Sequence, residues 1–274
     1  MTDPEVDPGW ILPDWPAPPS VRALITTRAG GVSAAPYGAG PGRGQGLNLG
    51  LGAGDDPAAV RANRARLLAA LAGAPRWLRQ VHGSTVVDAA TVLEPVSADA
   101  SYTDAANVIA AVMVADCMPV LLTDTRGRCV GIAHAGWRGL AAGVVQATVR
   151  AMRERIGEPE AELLAYLGPA IGPRHFEVGT EVMTAMRKGL PGAADAFVPA
   201  GHGKLLADLF ALGRQALAQV GVSRIHGGTD CTYSDPERFY SYRRDGLTGR
   251  HAAVIWKRSR GALASSGPGQ EDPV

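Results

Sequence analysis

The chain has 274 residues, with 27 Lys and Arg against 26 Asp and Glu, 46% hydrophobic residues and three cysteines. A chain of that size buries a core without cross-links, and the odd, widely spaced set Cys117, Cys129 and Cys231 excludes a disulfide scaffold and suits a reducing compartment. A net charge of +1 supplies no field for drawing in nucleic acid or anionic lipid, so neither is an expected partner. No stretch is long and apolar enough for a membrane span, and the opening residues MTDPEVDPGW are acidic where a signal peptide is basic and then apolar. The expectation is a soluble cytoplasmic protein.

Taken in chain order, residues 1–20 read as a proline-rich tail that packs poorly. Residues 21–27 alternate and are rich in β-branched side chains, which predicts a strand ending at the turn Arg28-Ala29-Gly30-Gly31. The glycine-dense stretch that follows, residues 37–54, cannot be an element interior and is either a lid, a ligand-facing loop or a surface insertion. Asp55-Asp56-Pro57 then signals a helix start, with Val60, Leu67, Leu68 and Leu71 as its apolar stripe. Short β-like runs follow at 77–82, 85–88, 108–116, 119–123 and 129–133. The run at 108–114 is apolar on both faces, which places it as a central strand with Ala115-Asp116-Cys117 at its polar end.

The pattern then predicts a long helix over 137–156, a buried strand at 163–167, a shorter helix at 179–188, an amphipathic helix over 205–220, and closing strands near 223–226 and 252–256. Residues 259–274 read as a disordered tail. The fold class is α/β: a single domain over residues 21–258, with mixed β-sheets flanked by helices.

Three soft ligands fall at three strand ends: His82 before Gly83, Cys117 after the buried run, and His134 in His134-Ala135-Gly136. Three such ligands with an open fourth position suit a catalytic zinc, although spacings of 35 and 17 residues carry no signature of their own. The same Cys117 and His134 also suit a metal-free thiolate–imidazole hydrolase. A third reading starts from His175-Phe176-Glu177, which matches the H-x-E of zinc nucleobase deaminases but lacks the P-C-x-x-C partner. Glu177 stays as a candidate acid or base. Arg28 and Arg138 sit beside glycines that permit close approach to backbone, which suits phosphate contacts, and Arg243-Arg244 form a further pair. No nucleotide-binding glycine motif is present.

The succession Thr26-Thr27-Arg28-Ala29-Gly30-Gly31, Leu47-Asn48-Leu49-Gly50, Gln80-Val81-His82-Gly83, Ala115-Asp116-Cys117-Met118-Pro119 and His134-Ala135-Gly136-Trp137-Arg138-Gly139 resembles the YfiH/YlmD family. Gly168-Pro169-Ala170-Ile171-Gly172, Phe176-Glu177-Val178-Gly179, Cys231-Thr232-Tyr233 and Phe239-Tyr240-Ser241-Tyr242-Arg243-Arg244-Asp245 continue the likeness across nearly the whole chain. That family has carried the labels polyphenol oxidase and multicopper laccase. The resemblance implies a sandwich related to cysteine hydrolases and a zinc held by His82, Cys117 and His134. It also implies phosphorolysis of adenosine, inosine, guanosine or S-methyl-5′-thioadenosine, with deamination of adenosine as a side activity.

On this reading the partners are purine nucleosides and phosphate, the chain is a monomer or weak homodimer, Arg28, Arg138 and Asn48 contact substrate or phosphate, and Cys117, Asp116 and Glu177 are the candidate catalytic groups. Asp116 is equally a candidate for orienting a ligand histidine. The run at residues 38–46 departs from the family by its extra length. The laccase label fails on supply: a multicopper site consumes about ten histidines, and this chain has six with no H-x-H pair. Copper binding at the single site would be adventitious.

Overall fold

The computed structural model describes residue 7 and residues 9–38 and 44–259. Most of the 38–46 run, and all but the first residue of the tail expected at 259–274, lie outside the described residues. Two mixed sheets form the body. The first takes the order Val21–Ile25, His251–Lys257, Ile109–Val114 and Pro75–Arg76, antiparallel except for the last pair. The second has six strands in the order Arg224–Gly227, Leu163–Leu167, Met118–Asp124, Val130–Ala135, Ala100–Thr103 and Val86–Asp88, antiparallel inside and parallel at both edges.

Alternation along the strands sorts their side chains into layers. In Ile109–Val114, Ala110 and Val112 point toward the second sheet, where they meet Leu121, Ile132 and Tyr166. Ile109 and Ala111 point the other way, against Leu67 and Leu71 at the end of the helix Pro57–Ala69 and beyond it. The far face of the second sheet carries Val120, Leu122, Ala133 and Ala165 under the helices Val144–Ile156 and Leu209–Gln219. The result is four layers, helix, sheet, sheet and helix, which explains why the 108–114 run is apolar on both faces. The chain passes between the stacked sheets within Ala115-Asp116-Cys117, since the strand before this tripeptide belongs to one sheet and the strand after it to the other. Asp116 makes that step at φ 85°, a left-handed conformation uncommon outside glycine.

Several expected elements differ. The 137–156 helix is two helices, Trp137–Ala141 and Val144–Ile156, because Gly143 at φ 82° breaks the hydrogen-bond ladder between them. The 205–220 helix is a strand, Lys204–Ala207, followed by Leu209–Gln219. Asp208 fixes the boundary, its carboxylate accepting from the Ala211 N–H at 2.9 Å, and pairing with Phe197–Gly201 draws the preceding residues into a small three-stranded sheet completed by Glu177–Val178.

Only Pro75–Arg76 of the region near 77–82 is a strand. Beyond it the Gln80 carboxamide substitutes for backbone pairing, accepting from the Met113 N–H at 2.8 Å and donating to the Met113 carbonyl at 2.7 Å. The proline-rich opening segment does not hang free over residues 9–20. Ile11 pairs with Ile25, Trp10 is buried beside Leu24 and Trp256, and Trp15 meets Tyr166 edge-on at 6.1 Å. The tryptophans anchor the segment through apolar burial, and the prolines around them, already restricted in φ, lose little entropy when it docks. Among the described residues no helix is long and apolar enough to cross a membrane.

Candidate active site

The crossover at residues 115–117 brings Cys117 to the start of the strand Met118–Asp124, whose neighbour Val130–Ala135 holds His134 opposite Pro119. His82 reaches the same point from the loop after Gln80. Its backbone is left-handed, φ 60°, and is held there by Asp99, a fully buried carboxylate that accepts from the N–H groups of Val81 at 3.1 Å, His82 at 2.9 Å and Gly83 at 2.7 Å. The same carboxylate accepts from His134 Nδ1 at 2.8 Å. One side chain therefore shapes the His82 loop and fixes the tautomer of His134, leaving its Nε2 for a ligand. Asp99 was not singled out in the sequence, because no motif surrounds it and its role depends on partners 16 to 35 residues away.

His82, Cys117 and His134 place one ligand atom each within 4.8 Å of one another, with His82 exposed, Cys117 half-buried and His134 buried. Cys117 Sγ lies 3.9 Å from His82 Nε2, and the two imidazoles meet edge-on at 4.8 Å. Ordinary zinc–sulfur and zinc–nitrogen bonds at a tetrahedral angle put these two donors about 3.6 Å apart, so the group fits such an ion with a small inward movement. Space at the sulfur is reserved by Gly136, where a Cβ would stand 2.7 Å from Cys117 Sγ and 3.3 Å from His82 Cδ2. Burial alone would raise the Cys117 thiol, but the positive field and hydrogen bonds of His134 and His82 bring it below its ordinary value. His134 is raised in turn: burial opposes its charge, and the thiolate of Cys117 with the Asp99 carboxylate more than compensates. A thiolate between two histidines is a metal-ready donor set.

The three residues open into a cleft of about 720 Å³ that also presents Asp116, Arg138, Arg243 and Arg250. Each of these arginines covers an aromatic ring of the same cleft: Arg138 over Trp137 at 4.4 Å, Arg243 over Phe176 at 5.4 Å and Arg250 over Tyr242 at 6.0 Å. Asp116 is in the cleft with both carboxylate oxygens engaged, one by Thr232 Oγ1 and one by the Arg243 N–H, each at 2.6 Å. It braces the Tyr242 to Asp245 turn against the metal-ready group.

Three sequence candidates stand elsewhere. Arg28 is buried under the glycine-rich loop, its guanidinium donating to the carbonyls of Gly38 at 2.6 Å, Pro36 at 3.2 Å and Pro236 at 3.2 Å, with Asp245 at 3.7 Å. Its donors are spent on backbone, so it does not line the cleft. Asn48 is fully buried and holds the N–H groups of Gly50 at 3.0 Å and Arg250 at 2.9 Å on its Oδ1, acting on the cleft only through them. The Glu177 side chain is exposed and absent from the cleft lining, while its carbonyl accepts from Arg243 Nη1 at 2.7 Å. Sequence reading overlooked Arg250, since it sits past the recognised Tyr240 to Asp245 motif in a loop of no distinctive composition.

All six histidines lie among the described residues, and only His82 and His134 come together with a third ligand. His251 is buried between the Tyr240 N–H and the Val114 carbonyl, and His175 stacks on Tyr233. Among the described residues there is therefore no second group of ligands for a copper cluster.

A family model described as multi-copper polyphenol oxidoreductase laccase matches residues 22–258. A purine nucleoside phosphorylase of Pseudomonas aeruginosa is 51% identical over 250 residues, covering 90% of this chain and 98% of that protein. Purine nucleoside phosphorylase YfiH of Escherichia coli strain K12 is 49% identical over 251 residues, with the same two coverages of 90% and 98%. Among solved structures, a Neisseria meningitidis protein superposes with a TM-score of 0.84 at 48% identity, covering 92% of this chain and 100% of that one, and YlmD of Geobacillus stearothermophilus does so at 0.79 and 33%, covering 88% and 93%. The layered sheets, the His–Cys–His group at their crossover and these matches agree: the chain belongs to the multi-copper polyphenol oxidoreductase laccase family, which is the YfiH family.

Proposed function

We propose that the protein is a purine nucleoside phosphorylase whose single metal, zinc, is held by His82, Cys117 and His134. The observation that carries this reading is the His–Cys–His group opening into a cleft that presents four arginines, together with relatives of about half identity that bear the phosphorylase name. The substrates are adenosine, inosine, guanosine and S-methyl-5′-thioadenosine, with adenosine deamination as a side reaction, and the protein acts in the cytoplasm as a monomer or weak homodimer.

In phosphorolysis a phosphate oxygen bonds to C1′ of the ribose, the C1′–N9 bond breaks, and the electron pair leaves on the purine, which takes up a proton. A zinc held by His82, Cys117 and His134 would supply Lewis acidity and positive charge to the cleft. The protein's own groups do the positioning: Asp99 fixes His134 and the His82 loop, Asp116 braces Arg243, and the arginines hold phosphate and damp its charge near the thiolate. Asp116 is the carboxylate that lines the cleft and so replaces Glu177 as the group for proton transfer. The Tyr242 ring, 62% exposed at the cleft, gives a planar base apolar surface to lie on.

A metal-free hydrolase needs one base on its thiol. Here two histidines converge on the sulfur, and the 3.9 Å approach of His82 suits a shared ion better than a direct hydrogen bond. The test is elemental analysis of the purified protein paired with mass-spectrometric assay of the four nucleosides, with and without phosphate. Phosphate-dependent release of base with about one zinc per chain is the expected outcome. A Cys117→Ala variant that keeps its metal and full turnover would overturn the assignment.

A further inference from the structure

We propose that Arg250 is the residue that receives the phosphate, and that Asn48 is the positioning residue that aims it. The inference rests on the phosphorolysis reading for its ligand, and on different atoms for its evidence. The four arginines of the cleft are not equivalent. Arg79 is exposed and gives Nη2 to the Pro95 carbonyl at 3.4 Å. Arg138 is exposed and lies on Trp137, and Arg243 is exposed and gives Nη1 to the Glu177 carbonyl. Arg250 is half-buried beside Cys117 and Asp116, and among the described residues no carboxylate forms an ion pair with it.

Its anchoring is specific. The Arg250 N–H donates to Asn48 Oδ1 at 2.9 Å, the same oxygen that holds the Gly50 N–H, and Nη1 donates to the carbonyls of Thr248 and Gly249, both at 2.9 Å. Asn48 is locked in turn by its Nδ2 donating to Asp55 at 2.9 Å and by its carbonyl accepting from Asn63 at 2.9 Å. Gly50 lets the side chain lie flat on the loop, since a Cβ there would meet Arg250 Cγ at 2.7 Å. Nη1 is thus spent, and the edge formed by Nε and Nη2 has no protein partner among the described residues. That edge is the fork that grips an oxyanion through two parallel hydrogen bonds. A half-buried guanidinium without a direct ion pair is costly: burial lowers its affinity for its own proton by more than the nearby Cys117 and Asp116 raise it, and an arriving phosphate gripped by the open edge relieves the cost. Asn48 explains why a fully buried amide sits in the Leu47-Asn48-Leu49-Gly50 motif without touching the cleft: it sets the backbone from which Arg250 extends.

The experiment compares the metal-loaded wild type with Arg250→Gln, Arg250→Lys, Arg138→Gln, Arg243→Gln and Asn48→Ala, reading inorganic phosphate binding by calorimetry and the KM for phosphate and for inosine separately. Removing a charge-assisted fork should weaken phosphate binding about ten- to hundredfold in Arg250→Gln, with the inosine KM little changed. Arg250→Lys should recover part of the loss, and Asn48→Ala should raise the phosphate KM without the same fall in kcat. Circular dichroism and zinc content identify any variant that has merely unfolded, and Arg250→Lys keeps the charge where Arg250→Gln does not. Unchanged phosphate binding in folded Arg250→Gln, or loss confined to Arg138→Gln or Arg243→Gln, would overturn the assignment, as would a wild type that binds no phosphate. A wild type that binds phosphate through Arg250 yet cleaves no nucleoside would keep this site and overturn the phosphorylase reading instead.

Discussion

Asp99 Oδ1 accepts from His134 Nδ1 at 2.8 Å and from the His82 N–H at 2.9 Å, so one oxygen atom is shared between two residues of the candidate metal group. Burial pushes this carboxyl up, and the hydrogen bonds from His134, Gly83 and Val81 more than offset it, holding the group below its ordinary range. Asp99→Asn replaces an acceptor-only group with one whose amide nitrogen faces N–H donors. Metal affinity should fall about 10- to 100-fold, measured by chelator competition. An Asp99→Asn variant that held zinc as tightly as wild type would show that His82 and His134 are positioned by other means.

Gly136 tests the same group from the other side. Its conformation suits any residue, φ −72°, so the effect of Gly136→Ala is steric: the new methyl lies 2.7 Å from Cys117 Sγ. The methyl should displace the sulfur or the His82 ring and cut zinc content, while the circular dichroism spectrum stays that of the folded protein. Full metal occupancy in this variant would mean that the site tolerates a shifted ligand.

Arg28 separates stability from phosphate binding. Its guanidinium holds three backbone carbonyls and faces Tyr240 at 5.1 Å, outside the cleft. Arg28→Lys keeps the charge and loses the fork, leaving carbonyls under the glycine-rich loop without donors. A loss of about 1 to 3 kcal/mol in denaturant unfolding is expected, with the phosphate KM unchanged in the folded enzyme. A raised phosphate KM at unchanged stability would return Arg28 to the site.

His251 gives the protein an acid limit. Burial pushes its pKa down to about 3, helped by the positive charges of Arg28, Arg250 and Arg244 and only partly opposed by the Val114 carbonyl at Nδ1, while Nε2, the atom that would take a second proton, is occupied by the Tyr240 N–H. The unfolded chain takes up that proton near pH 6.5. Stability is therefore complete above about pH 6.5 and falls toward pH 3, by roughly 1.4 kcal/mol per unit at most. His134 is raised, so its contribution is lost as pH rises above about 6.5, and Asp99, lowered from the ordinary value of 3.8, loses its contribution only as pH falls below that value, outside the window from pH 6.5 to 4.5. Unfolding midpoints between pH 6.5 and 4.5 should drop in the wild type and flatten in His251→Gln. Equal slopes in the two proteins would refute this account.

Two of the candidate ligands were legible in the sequence from strong strand patterns, an apolar run before Cys117 and a strand followed by a glycine and a helix at His134, whereas the strand expected to end at His82 is a loop. Their convergence was not. It follows from two sheets stacking with a tripeptide between them, a geometry set by pairings such as Pro119 with His134 and Ala253 with Val112 across long sequence distances. Local pattern also misread residues 204–207 and 77–82, where pairing with another strand or with a glutamine side chain outweighs helical or strand propensity.

Residue type and spacing by themselves determined the α/β class, the supply of soft ligands and the shortage of histidine for a multicopper centre. Tertiary structure decided which polar groups face the cleft. Arg28 and Arg250 are chemically identical, and glycines stand near both in the chain. One has its donors consumed by backbone carbonyls, and the other keeps an open edge, because hydrogen-bond partners are assigned by the packing of distant loops.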